Sequence, residues 1–119
     1  MIVSVPTNAI LLRIFVGEED EYEGRPLFEA LVRVALKSEM AAATALRGPG
    51  GFGRSKNFRT ALNVDAGSYM PMTVEVVDSP EKIEGFLLKI DSMVDSGLVT
   101  LEGVRAVHYP GARVQQAAT

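Results

Sequence analysis

Residues 71–94, PMTVEVVDSPEKIEGFLLKIDSMV, contain the pattern that decides the fold. Its first part alternates Met72, Val74 and Val76 with the residues between them, which is the two-residue period of a strand. After Asp78 the apolar residues follow the i, i+3, i+4, i+7 spacing of a helix buried on one side. They are Ile83, Phe86, Leu87, Ile90, Met93 and Val94. This stretch therefore predicts a strand followed by an amphipathic helix.

The residues between strand and helix predict where the helix begins. Asp78 or Ser79 can cap it, Pro80 suits its first turn, and Glu81 complements the positive end of the helix dipole. Gly97 is typical of a helix stop. A last strand is expected within Leu98 to Tyr109, strongest from Val104 onward, with Gly103 as a bulge or bend.

The N-terminal half repeats this strand–helix order. A strand is predicted over Ile10–Val16, with Leu11 and Phe15 on the face opposite its main apolar face. The acidic run that follows Gly17 is read as a solvated loop, since it lacks the alternating oxygen ligands of a calcium loop. Pro26 is expected at the first position of a helix that runs to Ser38. Ala41 to Arg47 is then predicted as a second strand.

The order β-α-β, long loop, β-α-β predicts an α+β fold, a ferredoxin-like βαββαβ sandwich with both helices on one sheet face. The other face would carry Leu11, Phe15 and Val77. Apolar residues on an uncovered face favour association with further copies of the chain. The sequence therefore predicts a homo-oligomer.

The loop between strands two and three, about residues 48–70, is glycine-rich and basic. It opens Gly48-Pro49-Gly50-Gly51-Phe52-Gly53 and continues with Arg54, Lys56 and Arg59. No helix pattern follows directly, so a dinucleotide fingerprint is not indicated, and Gly53-Arg54-Ser55 is not a Walker A ending. Glycine amides beside cations suit a phosphate-bearing or other anionic ligand. A flexible loop with solvated charges is the alternative.

Composition limits the remaining classes. The chain has 119 residues, 47% of them hydrophobic, a net charge of −3, no cysteine and one histidine. We expect one domain over residues 1–119, with a core over about 10–109 and a frayed tail over 110–119. Disulfides and thiolate or multi-histidine metal sites within one chain are excluded. We expect no signal peptide, no membrane span, no nucleic-acid partner and a cytoplasmic location.

Catalytic residues are not indicated. His108 is the only near-neutral base, and no serine or carboxylate pair accompanies it in a recognisable motif. We expect a strand-end contact for His108. An enzyme would need a site at a subunit interface, where several copies of His108 could gather.

Four segments together resemble a PII-like family. They are residues 12–17 (LRIFVG), 24–32 (GRPLFEALV), 47–53 (RGPGGFG) and 97–104 (GLVTLEGV). The chain is similar, from about Leu11 to Tyr109, to the branch long labelled a domain of unknown function and often encoded beside fluoride-export channels. The resemblance implies a ferredoxin-like trimer whose long loop corresponds to the T-loop, through which PII proteins contact transporters and enzymes.

The resemblance also implies a ligand site. PII relatives bind adenine nucleotides (ATP, ADP or AMP) between subunits, at the T-loop base, the loop before the last strand and the C-terminal region. By position these are Arg47, Gly48, Gly51 and Gly53 of the base, Gly97 and Leu98 before the last strand, and Arg105 and His108 on it. Phe52, between the base glycines, is counted with the same ligand-binding set. The chain lacks the phosphate-binding lysine before the last strand, the Arg-x-Arg pair and the mid-loop tyrosine of PII proteins. The sequence leaves open whether the chain binds a different anionic effector or no effector.

The sequence thus favours a trimeric regulatory protein that binds a small anionic effector and contacts a partner such as a transporter or channel through its basic loop. Two alternatives have the same architecture. One is a CutA-like stress or ion-tolerance trimer, which the absence of cysteine and of a histidine cluster disfavours for soft metals. The other is the enzyme with an interface site.

Overall fold

The structure, a computed structural model, describes residues 6–54, 56–63 and 69–109. The expected frayed tail, 110–119, lies outside the described residues. The described elements, in chain order, are β1 (Thr7–Gly17), β2 (Glu21–Tyr22), β3 (Arg25–Pro26), α1 (Leu27–Lys37), β4 (Ala42–Arg47), β5 (Gly50–Gly51), β6 (Arg59–Thr60), a 3-10 turn (Ala61–Asn63), β7 (Pro71–Asp78), α2 (Pro80–Ile90) and β8 (Leu98–Ala106).

The main sheet has four strands in the order β4-β7-β1-β8, and each neighbouring pair is antiparallel. Strand β1 is central because β7 pairs with one of its edges from Ile10 to Gly17, while β8 pairs with the other from Thr7 to Phe15. Both helices pack on one face of this sheet, against β1, β4 and β7. This is the predicted α+β, ferredoxin-like arrangement.

The core lies between the helices and that face. Alternate residues of β1 and β7 point into it, among them Leu12, Ile14, Val74 and Val76, which are fully buried. Helix α1 contributes Leu27, Leu31 and Ala35, and α2 contributes Ile83, Phe86 and Ile90. The apolar positions predicted for β7 and α2 mostly lie in this core, because only Leu87 and Val94 among them are partly buried and pack against it.

The helix boundaries correct two predictions. Pro26 pairs with Glu21 in the short β2–β3 ribbon and precedes α1 as its N-cap, so it is not the first helical residue. Helix α2 ends at Ile90, well before Gly97, although Met93 still packs into the core. The N-terminal prediction for α2 is confirmed, because Pro80 is its first residue and Ser79 Oγ accepts from the Lys82 amide over 3.3 Å.

The last strand is more regular than predicted. Gly103 pairs with Ile10 in an unbroken register between Leu11–Glu102 and Ala9–Val104, so the expected bulge is wrong. The strand also begins at Leu98 and ends at Ala106, so its greater part precedes Val104. An uninterrupted β8 keeps the turn before Leu98 at a fixed end of the sheet.

The long loop contains local structure that its composition did not predict. Gly50 and Gly51 pair with Thr60 and Arg59 as a short antiparallel ribbon. The amide of Ala61 donates to the Pro49 carbonyl over 2.7 Å, which extends the ribbon. The described part of the loop therefore folds back on its own base.

The second sheet face carries no helix. It presents Leu11, Phe15 and Val77, as predicted, and the register adds Leu46 and Leu98. At its centre Arg13 contacts Glu75 over 2.9 Å and Glu102 over 3.3 Å. The hydrogen bond to Glu75 raises the pKa of Arg13 above its ordinary value, so the guanidinium stays charged. This surface, called the open face below, carries apolar side chains and the threonines Thr44, Thr73 and Thr100 around one ionic cluster.

Across residues 6–54, 56–63 and 69–109, no helix has both the length and the apolar character that crossing a membrane requires.

Candidate functional site

The end of β1 continues into an ordered acidic turn, residues 17–20. Asp20 Oδ2 accepts from the Gly17 amide over 2.9 Å, and the Asp20 amide donates to the Gly17 carbonyl over 3.1 Å. The Asp20 carbonyl also accepts from the amide of Leu27, the first residue of α1, over 2.7 Å. Glu19 is exposed, as expected for a solvated connection, whereas Glu18 and Asp20 are only partly exposed.

Glu18 in this turn contacts both ends of the long loop. Its carboxylate accepts from Arg47 Nε over 3.1 Å and from the Met70 amide over 2.9 Å. Its own amide donates to the Met70 carbonyl over 3.0 Å. Where the loop leaves the sheet, the Gly48 amide donates to the Pro71 carbonyl over 2.8 Å. The loop base is thus closed by side-chain and backbone bonds.

A cavity of about 510 Å³ lies beside this base. Its walls come from the acidic turn, the start of the loop, the end of the loop and the turn before β8. Its volume is within the range of small-molecule sites. The residues predicted from sequence that line it are Gly51, Phe52, Gly53, Arg54, Lys56, Arg59, Gly97 and Leu98.

The cavity has charges of both signs. Three cationic side chains, Arg54, Lys56 and Arg59, face two acidic ones, Glu19 and Asp20. Arg54 lies 3.8 Å from Asp20, and Lys56 lies over the Phe52 ring, 5.5 Å from its centroid. No carboxylate of the described residues is within ion-pair distance of Lys56 or Arg59. These two cations are the ones most available to an anionic ligand.

The remaining predicted residues lie elsewhere. Arg47 and Gly48 belong to the loop base but do not line the cavity. Arg105 is near the far end of β8, seven residues from Leu98, which corresponds to about 23 Å along a strand. His108 lies beyond the end of β8. One chain therefore does not bring Arg105 and His108 to this cavity.

Sequence reasoning missed the acidic turn and the aromatic walls. Phe15 and Tyr69 line the cavity, and Glu18 pairs with an arginine 29 positions away. The acidic run and the basic loop were visible in the sequence, but the Glu18–Arg47 pair depends on β7 pairing with both β1 and β4. Within the part of the chain that the structure describes, no three His, Cys, Asp or Glu side chains are grouped so that they could hold a metal ion.

Solved structures with a similar backbone include several PII-like proteins. CPII from Thiomonas intermedia K12, described as a nitrogen regulatory PII-like protein bound to ADP, AMP and bicarbonate, superposes with a TM-score of 0.66 at 10% identity, covering 89% of this chain and 94% of CPII. A putative PII-like signaling protein from Thermus thermophilus gives 0.62 at 16% identity, covering 86% and 92%. The chain therefore has a PII-like fold.

Its family follows from sequence. Residues 9–106 match the family model DUF190, described as Uncharacterized ACR, COG1993. A UPF0166 protein from Aquifex aeolicus is 36% identical over 98 residues, which cover 82% of this chain and 92% of that relative. The chain belongs to the DUF190 family, in agreement with the resemblance found in its motifs.

Proposed function

We propose that this protein is a PII-like regulator, not an enzyme, which binds a small anionic effector in the cavity at the loop base. The observation that carries the proposal is the cavity itself, because it joins the basic loop to the turn before β8. Lys56 and Arg59 offer charge to an anion, and the backbone at Gly51 and Gly53, which also line the cavity, can offer amide hydrogen-bond donors.

An adenine nucleotide is the first effector to test. The CPII structure of the same fold is described as bound to ADP and AMP. The cavity also has aromatic walls, Phe15, Phe52 and Tyr69, against which a planar base could stack. The two acidic side chains in the cavity repel a ligand of high negative charge, which favours AMP over ATP.

The proposed assembly is a homotrimer, closed through the open face. Phe15, Thr73 and Leu98 belong both to the open face and to the cavity wall. A second copy on that face would therefore border the cavity and bury its open side. In such an assembly Arg105 and His108 could approach the cavity from a neighbouring copy.

The loop is the proposed contact to a partner protein, such as a transporter or channel. Phe58 and Leu62 on the loop are 72% and 92% exposed. Exposed apolar residues on a loop favour a protein contact. Effector binding at the base of the same loop would then alter how these residues are presented.

Isothermal titration of the protein with AMP, ADP and ATP tests the effector. We expect saturable binding of at least one nucleotide, and about tenfold weaker binding for Arg59→Ala, since a charge-assisted hydrogen bond is lost. Arg33→Ala is the matched control, because Arg33 lies on α1 and pairs with Glu29. We expect the nucleotide to be recovered unhydrolysed.

Absence of binding heat for all three nucleotides at millimolar concentration would exclude the nucleotide effector. Equal weakening in Arg59→Ala and Arg33→Ala would place the site elsewhere on the protein.

A further inference from the structure

Glu18 occupies a point where three chain segments meet. Its carboxylate joins the end of β1 to Arg47, the last residue of β4, and to the amide of Met70, which precedes β7. Residues 47 and 70 flank the long loop on its two sides. One carboxylate therefore ties both ends of the loop to the end of the central strand.

The turn that carries Glu18 is itself fixed. Bonds between Gly17 and Asp20 close it, and the bond from the Leu27 amide to the Asp20 carbonyl, 2.7 Å, attaches it to the start of α1. The Glu18 side chain is about one-quarter exposed, so its bonds are partly shielded from water. Partly shielded bonds to a charged acceptor are stronger than exposed ones.

Glu18 does not line the cavity, but Gly17, Glu19 and Met70 around it do. Any influence of Glu18 on a ligand must therefore act through other residues. The backbone bond from the Gly48 amide to the Pro71 carbonyl, 2.8 Å, closes the loop base independently of Glu18. Loss of the Glu18 side chain should then shift the loop base without unfolding the sheet.

We propose that Glu18 is the positioning residue of the long loop: it holds Arg47 and Met70 in place, and through Met70 and the loop base it sets the shape of the cavity. The effect on loop order is independent of the proposed function. The effect on effector affinity rests on it.

The direct test is amide hydrogen exchange by NMR on Glu18→Ala, Glu18→Gln and the matched control Glu21→Ala, whose side chain is exposed on β2. In Glu18→Ala we expect the Met70 amide to exchange about tenfold faster, since its acceptor is removed. The loop amides of Gly50 and Gly51 should also exchange faster. Glu18→Gln keeps an acceptor and should fall between Glu18→Ala and the wild type, and Glu21→Ala should match the wild type.

Hydrogen exchange at core amides distinguishes a positioning role of Glu18 from an effect on overall stability. Ile14 and Val74, deep in the sheet, should keep their wild-type exchange in all three variants. Unchanged exchange at Met70 in Glu18→Ala would overturn the proposal. So would equal acceleration at Met70 and in the core, because Glu18 would then act on global stability.

Titration of the same variants with AMP adds the second readout. If the wild type binds AMP, Glu18→Ala should bind severalfold more weakly and Glu21→Ala normally. Equal affinity of Glu18→Ala and wild type would remove the proposed influence on the cavity. If the wild type binds no nucleotide, the proposed effector is wrong, and the exchange experiment still decides the role of Glu18.

Discussion

Gly97 is the residue at which the backbone most clearly requires glycine. Its φ is +154°, and a Cβ there would lie 2.9 Å from the carbonyl oxygen of Phe15. That oxygen belongs to the central strand and cannot move away. The turn before β8 can therefore approach β1, and form one wall of the cavity, only because residue 97 has no side chain.

Gly97→Ala should lower the free energy of unfolding by about 2 kcal/mol, through the clash with Phe15 and the unfavourable φ. The matched control is Gly85→Ala in α2, where an added Cβ meets nothing within 4 Å. Since alanine is the better helix former, Gly85→Ala should gain about 0.5–1 kcal/mol. Urea denaturation measures both. A neutral Gly97→Ala would mean that the turn relaxes away from Phe15.

The arginines show how far single residues could be interpreted from sequence. Arg47 and Arg54 were predicted as anion ligands on the basis of their place in a basic, glycine-rich loop. In the fold they contact Glu18 and Asp20, which are 29 and 34 positions distant in the chain. Charge type is visible in a sequence, but the partner of a charge depends on which strands become neighbours.

At the scale of elements, Asp78 connects β7, α2 and the residue before β4. Its carboxylate accepts from the Ala41 amide over 2.8 Å and from the Ser79 amide over 2.6 Å, and Lys82 Nζ lies 3.4 Å away. Burial alone would raise the pKa of Asp78, but these amides and Lys82 outweigh it and lower the pKa. Asp78 is therefore a stabilising carboxylate.

The pKa gives this stabilisation a pH dependence. A carboxylate whose pKa is lower in the folded chain contributes fully above its ordinary value of 3.8, and loses its contribution as the pH falls through the folded value. At pH 6, Asp78→Asn should be less stable than the wild type by about 1 kcal/mol. The difference should shrink steadily below pH 3.8.

Urea denaturation at pH 6 and at several values below 4 measures the Asp78 effect. Asp91→Asn is the control, since Asp91 is exposed at the end of α2, and it should change stability little at any pH. A difference between Asp78→Asn and wild type that stays constant or grows with acid would contradict the assignment.

The elements themselves were largely predictable, because burial on one side imposes a period. Ile83, Phe86 and Ile90 predicted α2, and all three are core residues. The failures lie where no period applies. Gly103 was taken for a bulge because glycine weakens strands, yet on an edge strand its missing side chain is tolerated. The Gly50–Gly51 ribbon was missed because glycines carry no strand signal.

At the scale of the whole molecule, the open face would connect the proposed assembly with the site. Leu98 is 61% exposed on this face and also forms part of the cavity wall. Exposed apolar side chains such as Phe15, Leu46 and Leu98 on this face are costly to leave in water. Covering the face with identical copies would remove that cost and enclose the cavity in one step.

Leu11→Lys tests this coupling. Leu11 lies on the open face, paired with Val77 on one side and Glu102 on the other. A lysine there can interact with Glu102 in the monomer, so the fold should be retained by circular dichroism. It would place a charge in the proposed interface, so sedimentation velocity should show monomers for Leu11→Lys and the proposed trimers for the wild type. Leu88→Lys, at a 77% exposed position on α2, should stay trimeric.

The cavity borders the same face, so the monomeric Leu11→Lys variant should also lose effector affinity. A folded monomer that binds as tightly as the proposed trimer would show that the site is complete within one chain.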